Sequence, residues 1–145
     1  RSLELILEFN NSSQIKTLLP LRDSVRNIKL LHSIGYHFIA ITAIGDCPQA
    51  YRNRIENLDN VFGPDVFQEL YCTKLATGKT QKLTELAEYY YGCPWVEDHV
   101  KNAHDGHAVG YRTFLMNHPY NQTDSPNITR VNDWWGITKE ILTNA

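Results

Sequence analysis

Cysteine is scarce in this sequence: Cys47, Cys72 and Cys93 are odd in number, widely spaced and form no Cys-x-x-Cys. A disulfide framework is thereby excluded, and a reducing cytoplasm is the expected setting. Asn-x-Ser/Thr triplets such as those at Asn11, Asn121 and Asn127 arise by chance in an Asn-rich chain and do not outweigh the cysteines. No apolar run approaches the roughly 20 residues of a membrane span, and no targeting segment is visible. Charge of either sign never gathers: 14 basic and 16 acidic side chains leave −2 without a like-charge block. That excludes a general nucleic-acid binder. Aspartate pairs are lacking too, since no Asp-x-Asp occurs anywhere.

What remains is the composition of an ordinary globular protein, 42% hydrophobic and 21% charged over 145 residues, and a single domain is expected over 1–145. Leu3, Ile6, Leu7 and Phe9 recur at helical spacing before the polar break Asn10-Asn11-Ser12-Ser13. Val25, Ile28, Leu30 and Leu31 mark a helix that Asp23 is placed to cap and Gly35 to end. The strand 36–42 follows at once. Pro48 suits the first turn of a helix carrying Tyr51, Ile55 and Leu58, which Phe62-Gly63-Pro64 ends. A short strand or turn then leads to Cys72. Thr80 is placed to cap a helix bearing Leu83, Leu86, Ala87 and Tyr90, ahead of a strand over 93–97. A brief helix with Val100, Ala103 and Gly106, a strand over 111–116, a loop over 117–127 and a last helix capped by Asn132 complete the chain. Strands separated by helices of about ten residues imply right-handed crossovers and a parallel sheet covered on both faces.

Two of those strands end in residues suited to one ligand. Tyr36-His37-Phe38-Ile39-Ala40-Ile41 runs into Thr42, and Cys93-Pro94-Trp95-Val96 runs into Glu97-Asp98. Carboxyl ends of parallel strands line a common crevice, so a hydroxyl and two carboxylates can meet there on an anion and a cation.

The order of elements resembles the haloacid dehalogenase superfamily of phosphohydrolases, and within it the 5'(3')-deoxyribonucleotidase-like group. Ile39-Ala40-Ile41-Thr42 looks like the second motif, whose Thr or Ser binds phosphate. Lys79 looks like the lysine of the third motif, with Lys82 as a second candidate. Trp95-Val96-Glu97-Asp98 resembles the acidic fourth motif, and the run from Gly110 to Asn121, ending Pro119-Tyr120-Asn121, is similar to the last core strand and turn of these nucleotidases. The resemblance spans about residues 5–142 and implies a three-layer, Rossmann-like α/β core with a parallel sheet between helices. It also implies a phosphatase acting on a nucleotide or other small phosphate ester through an aspartyl-phosphate. Thr42 and Lys79 would then bind the phosphate, and Glu97 and Asp98 would hold Mg2+. The chemistry agrees: phosphoryl transfer needs fixed positive potential, and magnesium favours hard oxygen ligands.

The departure is the first motif. Such proteins carry Asp-x-Asp at the end of a central strand, and Asp23 and Asp46 are not replacements. The opening segment to about residue 18 resembles the end of the family's cap and its return to the core. The first strand and most of the cap are therefore expected outside this chain, and the chain alone is expected to be inactive.

Other readings are weighed against this one. Thr42 alone is an ordinary β-branched strand residue, and Glu97-Asp98 alone an acidic turn before a helix. His99, His104 and His107, with Glu97, Asp98 and Asp105, offer ligand types for zinc or iron, although Gly106 weakens the helix they would share. Tyr89-Tyr90-Tyr91 and Trp134-Trp135 are packing aromatics or a stacking platform. Cys47 has no histidine arrangement to activate it. The competing function is a non-catalytic module that keeps the fold for binding.

Overall fold

The computed structural model describes residues 4–7, 23–43, 47–74 and 79–143. Six strands, β1 (Glu4–Leu7), β2 (His37–Thr42), β3 (Phe67–Cys72), β4 (Pro94–Glu97), β5 (Arg112–Met116) and β6 (Thr129–Val131), form one sheet. All neighbours are parallel, in the order β3-β2-β1-β4-β5-β6. Helices α1 (Ser24–Ser33), α2 (Pro48–Phe62), α3 (Thr80–Tyr90), α4 (Val100–Ala108) and α5 (Trp134–Thr143) supply the crossovers and the closing element. This is a doubly wound arrangement whose direction reverses between β1 and β4, and crevices form at such switch points beyond the strands' carboxyl ends.

Strand alternation sorts the core into two sides. Phe38 and Ala40 of β2, Val96 of β4 and Phe114 of β5 pack with Ile28 and Leu31 of α1, Leu58 and Phe62 of α2, and Trp134 and Ile137 of α5. Ile39, Ile41 and Trp95 face the other way, onto Leu83 and Leu86 of α3, and Leu115 packs with Ala103 of α4. Strands β2 and β4 are buried along nearly their whole length, as expected where helices cover both faces.

The expectation of a helix through Leu3, Ile6, Leu7 and Phe9 is corrected here. Residues 4–7 are a strand in the central position, pairing Leu7 with Ala40 on one side and Val96 on the other. A four-residue apolar segment reads equally as strand or helix, and the two flanking strands with open backbone groups decide it. The expectation that the first, central strand lies outside this chain is corrected with it: residues 4–7 fill that place, and of the segment read as the end of a cap only these four fall within the description. The sequence leaves β1 as Glu8-Phe9-Asn10, without an aspartate.

Caps differ as well. Asp23 gives α1 no side-chain cap; its two carboxylate oxygens accept the N–H groups of Trp134 (3.0 Å) and Trp135 (2.9 Å), holding the start of α5, a task expected of Asn132. Thr80 Oγ1 donates to Asp105 of α4 at 2.5 Å and does not cap α3. Strand β6 falls between the loop read over 117–127 and the cap read at Asn132, a stretch given no element from the sequence.

Gly106 has a packing reason for its place inside α4. A Cβ there would lie 2.3 Å from Cδ1 and 2.8 Å from Nε1 of Trp95, whose side chain is fully buried. The missing side chain lets α4 close on β4 just before the Glu97-Asp98 turn. Gly106→Ala is expected to cost about 1–3 kcal/mol by overpacking, despite alanine's better helix propensity, as a lowered midpoint in urea unfolding.

Candidate functional site

Register brings the two strand endings level. Leu7 pairs with both Ala40 and Val96, so these stand opposite one another across β1, and Thr42 and Asp98 each lie two residues further on. Strand spacing of about 4.8 Å puts the ends of β2 and β4 about 10 Å apart, a span one small phosphorylated molecule covers.

Thr42 is fully buried, and its Oγ1 has no hydrogen-bond partner among the described residues. Its carbonyl accepts the Thr73 N–H at 2.8 Å. A buried hydroxyl left without a partner costs about 1–3 kcal/mol, which a bound anion would recover.

Lys79 immediately precedes α3, at the same rim. Its side chain runs past the Trp95 ring, 5.9 Å from the centroid, to place Nζ 3.4 Å from Glu97 Oε2. Both residues are about 1% exposed. Burial disfavours each charge, holding the Lys79 ammonium below its ordinary range and pushing the Glu97 carboxyl up to about 7. The Lys79 charge opposes that rise in Glu97, and Asp98 adds to it.

Glu97 also braces its own turn. Its Oε1 accepts the N–H groups of Asp98 (3.1 Å) and His99 (3.0 Å), just ahead of α4. Asp98 is more open at 8% exposure, and its Oδ2 accepts a hydrogen bond from the Tyr120 hydroxyl. The two carboxylates therefore differ: one is spent on its own turn and on the lysine, and the other, also buried, is held by Tyr120 from the β5–β6 connection. Two adjacent carboxylates suit a hard cation that completes its shell with water and phosphate oxygens.

Lys82 lies apart from this group. It pairs with Glu85 at 2.8 Å, stands 4.8 Å from the Tyr71 ring, and lines a groove of about 560 Å³ with Tyr51, Arg52 and Cys72 around the β3 edge. The zinc or iron reading is corrected: among the described residues no three His, Cys, Asp or Glu side chains gather to hold a metal, and His104 meets Ser125 at 3.3 Å. Tyr89 and Tyr91 are largely exposed, Trp134 is core, and Cys47 is exposed ahead of α2. Sequence reasoning noted the Pro119-Tyr120-Asn121 turn but not its bonds to Asp98. No helix among the described residues is long and apolar enough to cross a membrane.

No family model matches the chain. A 32.4 kDa protein from the gp30–rIII intergenic region of enterobacteria phage T4, itself uncharacterized, is 32% identical over 95 residues, 66% of this chain and 34% of that protein. The match spans about a third of that relative's length. Among solved structures, D,D-heptose 1,7-bisphosphate phosphatase from B. bronchiseptica, complexed with magnesium and phosphate, superposes with a TM-score of 0.74 at 12% identity, covering 99% of both chains. The Burkholderia thailandensis enzyme of the same name gives 0.69 at 13% identity, covering 97% of this chain and 99% of that one. The likeness establishes the fold, a haloacid-dehalogenase-like Rossmann-type α/β core.

The Glu97 assignment has a measurable consequence. Its carboxyl carbon should titrate by NMR near 7, and Lys79→Met should move the midpoint higher by removing the charge that lowers it. With the folded pKa above the ordinary 4.5, the folded state holds the extra proton. This group's stabilising contribution is complete below about 4.5 and is lost as pH rises through about 7.

Proposed function

We propose that residues 1–145 are a core domain of a cytoplasmic, magnesium-dependent phosphomonoesterase of the haloacid dehalogenase type, acting on a nucleotide or another small phosphate ester. The observation that carries this reading is the Thr42 hydroxyl, buried without a partner among the described residues and level with Asp98 across the sheet's switch point. The solved neighbours, by name, act on a phosphorylated heptose, which supports a small phosphorylated substrate. The nucleotide preference rests on the resemblance of the Gly110–Asn121 run.

Thr42 Oγ1 donates to one phosphoryl oxygen, and Lys79 Nζ supplies positive charge beside the transferring group. Asp98 would offer its carboxylate to magnesium, while Glu97 fixes the turn and sets the lysine. Bound magnesium neutralises phosphate charge that the two carboxylates otherwise repel. In the covalent step an aspartate oxygen bonds to phosphorus as the bond to the leaving oxygen breaks. A second carboxyl delivers the proton to that oxygen, and water later cleaves the aspartyl-phosphate. Those two aspartates are not in this sequence: the central strand β1 is the chain's own and the sequence continues from it as Glu8-Phe9-Asn10, so turnover would require residues outside the chain to bring both aspartates to this rim. The same absence is the one feature favouring the second reading, a non-catalytic binding module of this fold.

Calorimetry with inorganic phosphate and Mg2+ separates the possibilities. The chain should bind phosphate, and Thr42→Val should weaken binding about tenfold, the worth of one hydrogen bond to a charged group. The chain alone should show no magnesium-dependent turnover of p-nitrophenyl phosphate, and a longer protein that brings an Asp-x-Asp to this rim should. Failure to bind phosphate overturns the site. Turnover by the pure chain overturns the external nucleophile, and an inactive full-length protein that still binds leaves the module.

A further inference from the structure

We infer that Tyr120 and Asn121, braced by Arg130, are positioning residues that aim the Asp98 carboxylate toward the bound cation; the inference rests on the phosphatase reading above. Strand β4 ends at Glu97, so the ladder does not fix Asp98. Its backbone is instead held at both ends. Its N–H goes to Glu97 Oε1, and its carbonyl accepts from Asn121 Nδ2 at 2.8 Å. The Tyr120 hydroxyl holds the side chain at Oδ2.

Asn121 is only 1% exposed and has its amide fully committed. Nδ2 also donates to the Met116 carbonyl at 2.7 Å, while Oδ1 accepts from the His118 N–H and from Arg130 Nη1, both at 3.0 Å. Two carbonyls on one side and two N–H donors on the other fix the amide's orientation without ambiguity. Arg130, on β6, donates also to Asn117 Oδ1 (3.0 Å) and to the carbonyls of Asn121 (2.8 Å) and Thr123 (2.9 Å). All four of these acceptors are neutral oxygens, so the guanidinium serves as a rigid peg for the turn. A run of hydrogen bonds thus leads from β6 through the Pro119–Asn121 turn to a carboxylate at the end of β4.

Such bracing matters for magnesium, which demands near-ideal octahedral geometry. A carboxylate left to rotate forfeits that geometry. Partners behind metal-bound carboxylates typically change affinity 10- to 100-fold when removed. Tyr120 is the informative position because it is 62% exposed, its hydroxyl reaches Asp98 and its ring stacks on His118, with ring centroids 4.9 Å apart. Its loss should therefore spare the core.

The test is a Mn2+ titration of the chain, followed by electron paramagnetic resonance of the free ion, with Mg2+ as competitor. The unaltered chain should bind, and Tyr120→Phe should bind about tenfold more weakly with an unchanged thermal midpoint in the metal-free state. Asn121→Ala should weaken binding at least as much, with a lowered midpoint. Tyr120→Phe binding within twofold of the unaltered chain overturns the positioning role while leaving the metal site standing. No competed Mn2+ binding by the unaltered chain overturns the metal reading itself, and the positioning role with it.

Discussion

A lysine and a glutamate, both out of contact with water and 3.4 Å apart, are the constraint around which this rim is organised. Removing charges from water costs several kcal/mol per ion, and mutual attraction repays it only with good geometry and further hydrogen bonds. Glu97 has those bonds from the N–H groups of Asp98 and His99, and Lys79 has the Trp95 ring face beside its ammonium. Trp95 is itself seated by Gly106 and by an Nε1 bond to the Asn102 carbonyl at 3.2 Å. The start of α3, the end of β4 and the entry to α4 therefore share one electrostatic element. Deleting either charge alone strands the other and costs about 3–5 kcal/mol.

That element also sets the rim's charge. With Lys79 positive and Glu97 and Asp98 both ionised, the rim is net negative by one charge, and a phosphate monoester brings nearly two more. Unaided, the rim would repel the phosphate that the proposed function assigns to the Thr42 hydroxyl. Two remedies exist in these residues. The raised Glu97 pKa lets a proton neutralise one carboxylate near neutral pH, and on the phosphatase reading a divalent cation held by Asp98 would supply the other compensation.

The α/β alternation and the rim residues were legible in the sequence because they rest on local pattern. Apolar runs ending in Thr42 and in Glu97-Asp98 identify strands and their functional ends without tertiary knowledge. What stayed hidden depends on partners distant in sequence. Asp23 stands where a residue caps α1, yet its carboxylate bonds Trp134 and Trp135, more than 100 residues away. Thr80 looks like the cap of α3 and reaches Asp105 instead. Lys79 and Lys82 lie one helical turn apart and could not be separated by spacing. Burial separates them, since one lies against Glu97 and the other pairs with Glu85 at the surface. Segment 4–7 was misread for the same reason, because its state is chosen by the vacancy between β2 and β4.

The site's parts come from separate elements, and this governs what each part can do alone. Thr42 arrives on β2, Lys79 ahead of α3, Asp98 after β4, and the brace on Asp98 from the β5–β6 connection. Each is fixed by its own strand or hydrogen-bond run, so on the phosphatase reading the fold would assemble the charge-stabilising half of phosphoryl transfer. The nucleophilic half would belong after the central strand, where the sequence continues as glutamate, phenylalanine and asparagine. Glutamate carries a carboxylate on a longer stem, and an angstrom of misplacement is enough to cost orders of magnitude in rate. Binding and covalent chemistry would thereby be separable here on physical grounds: if the rim holds a phosphate, it would keep that capacity whether or not an aspartate is delivered to it.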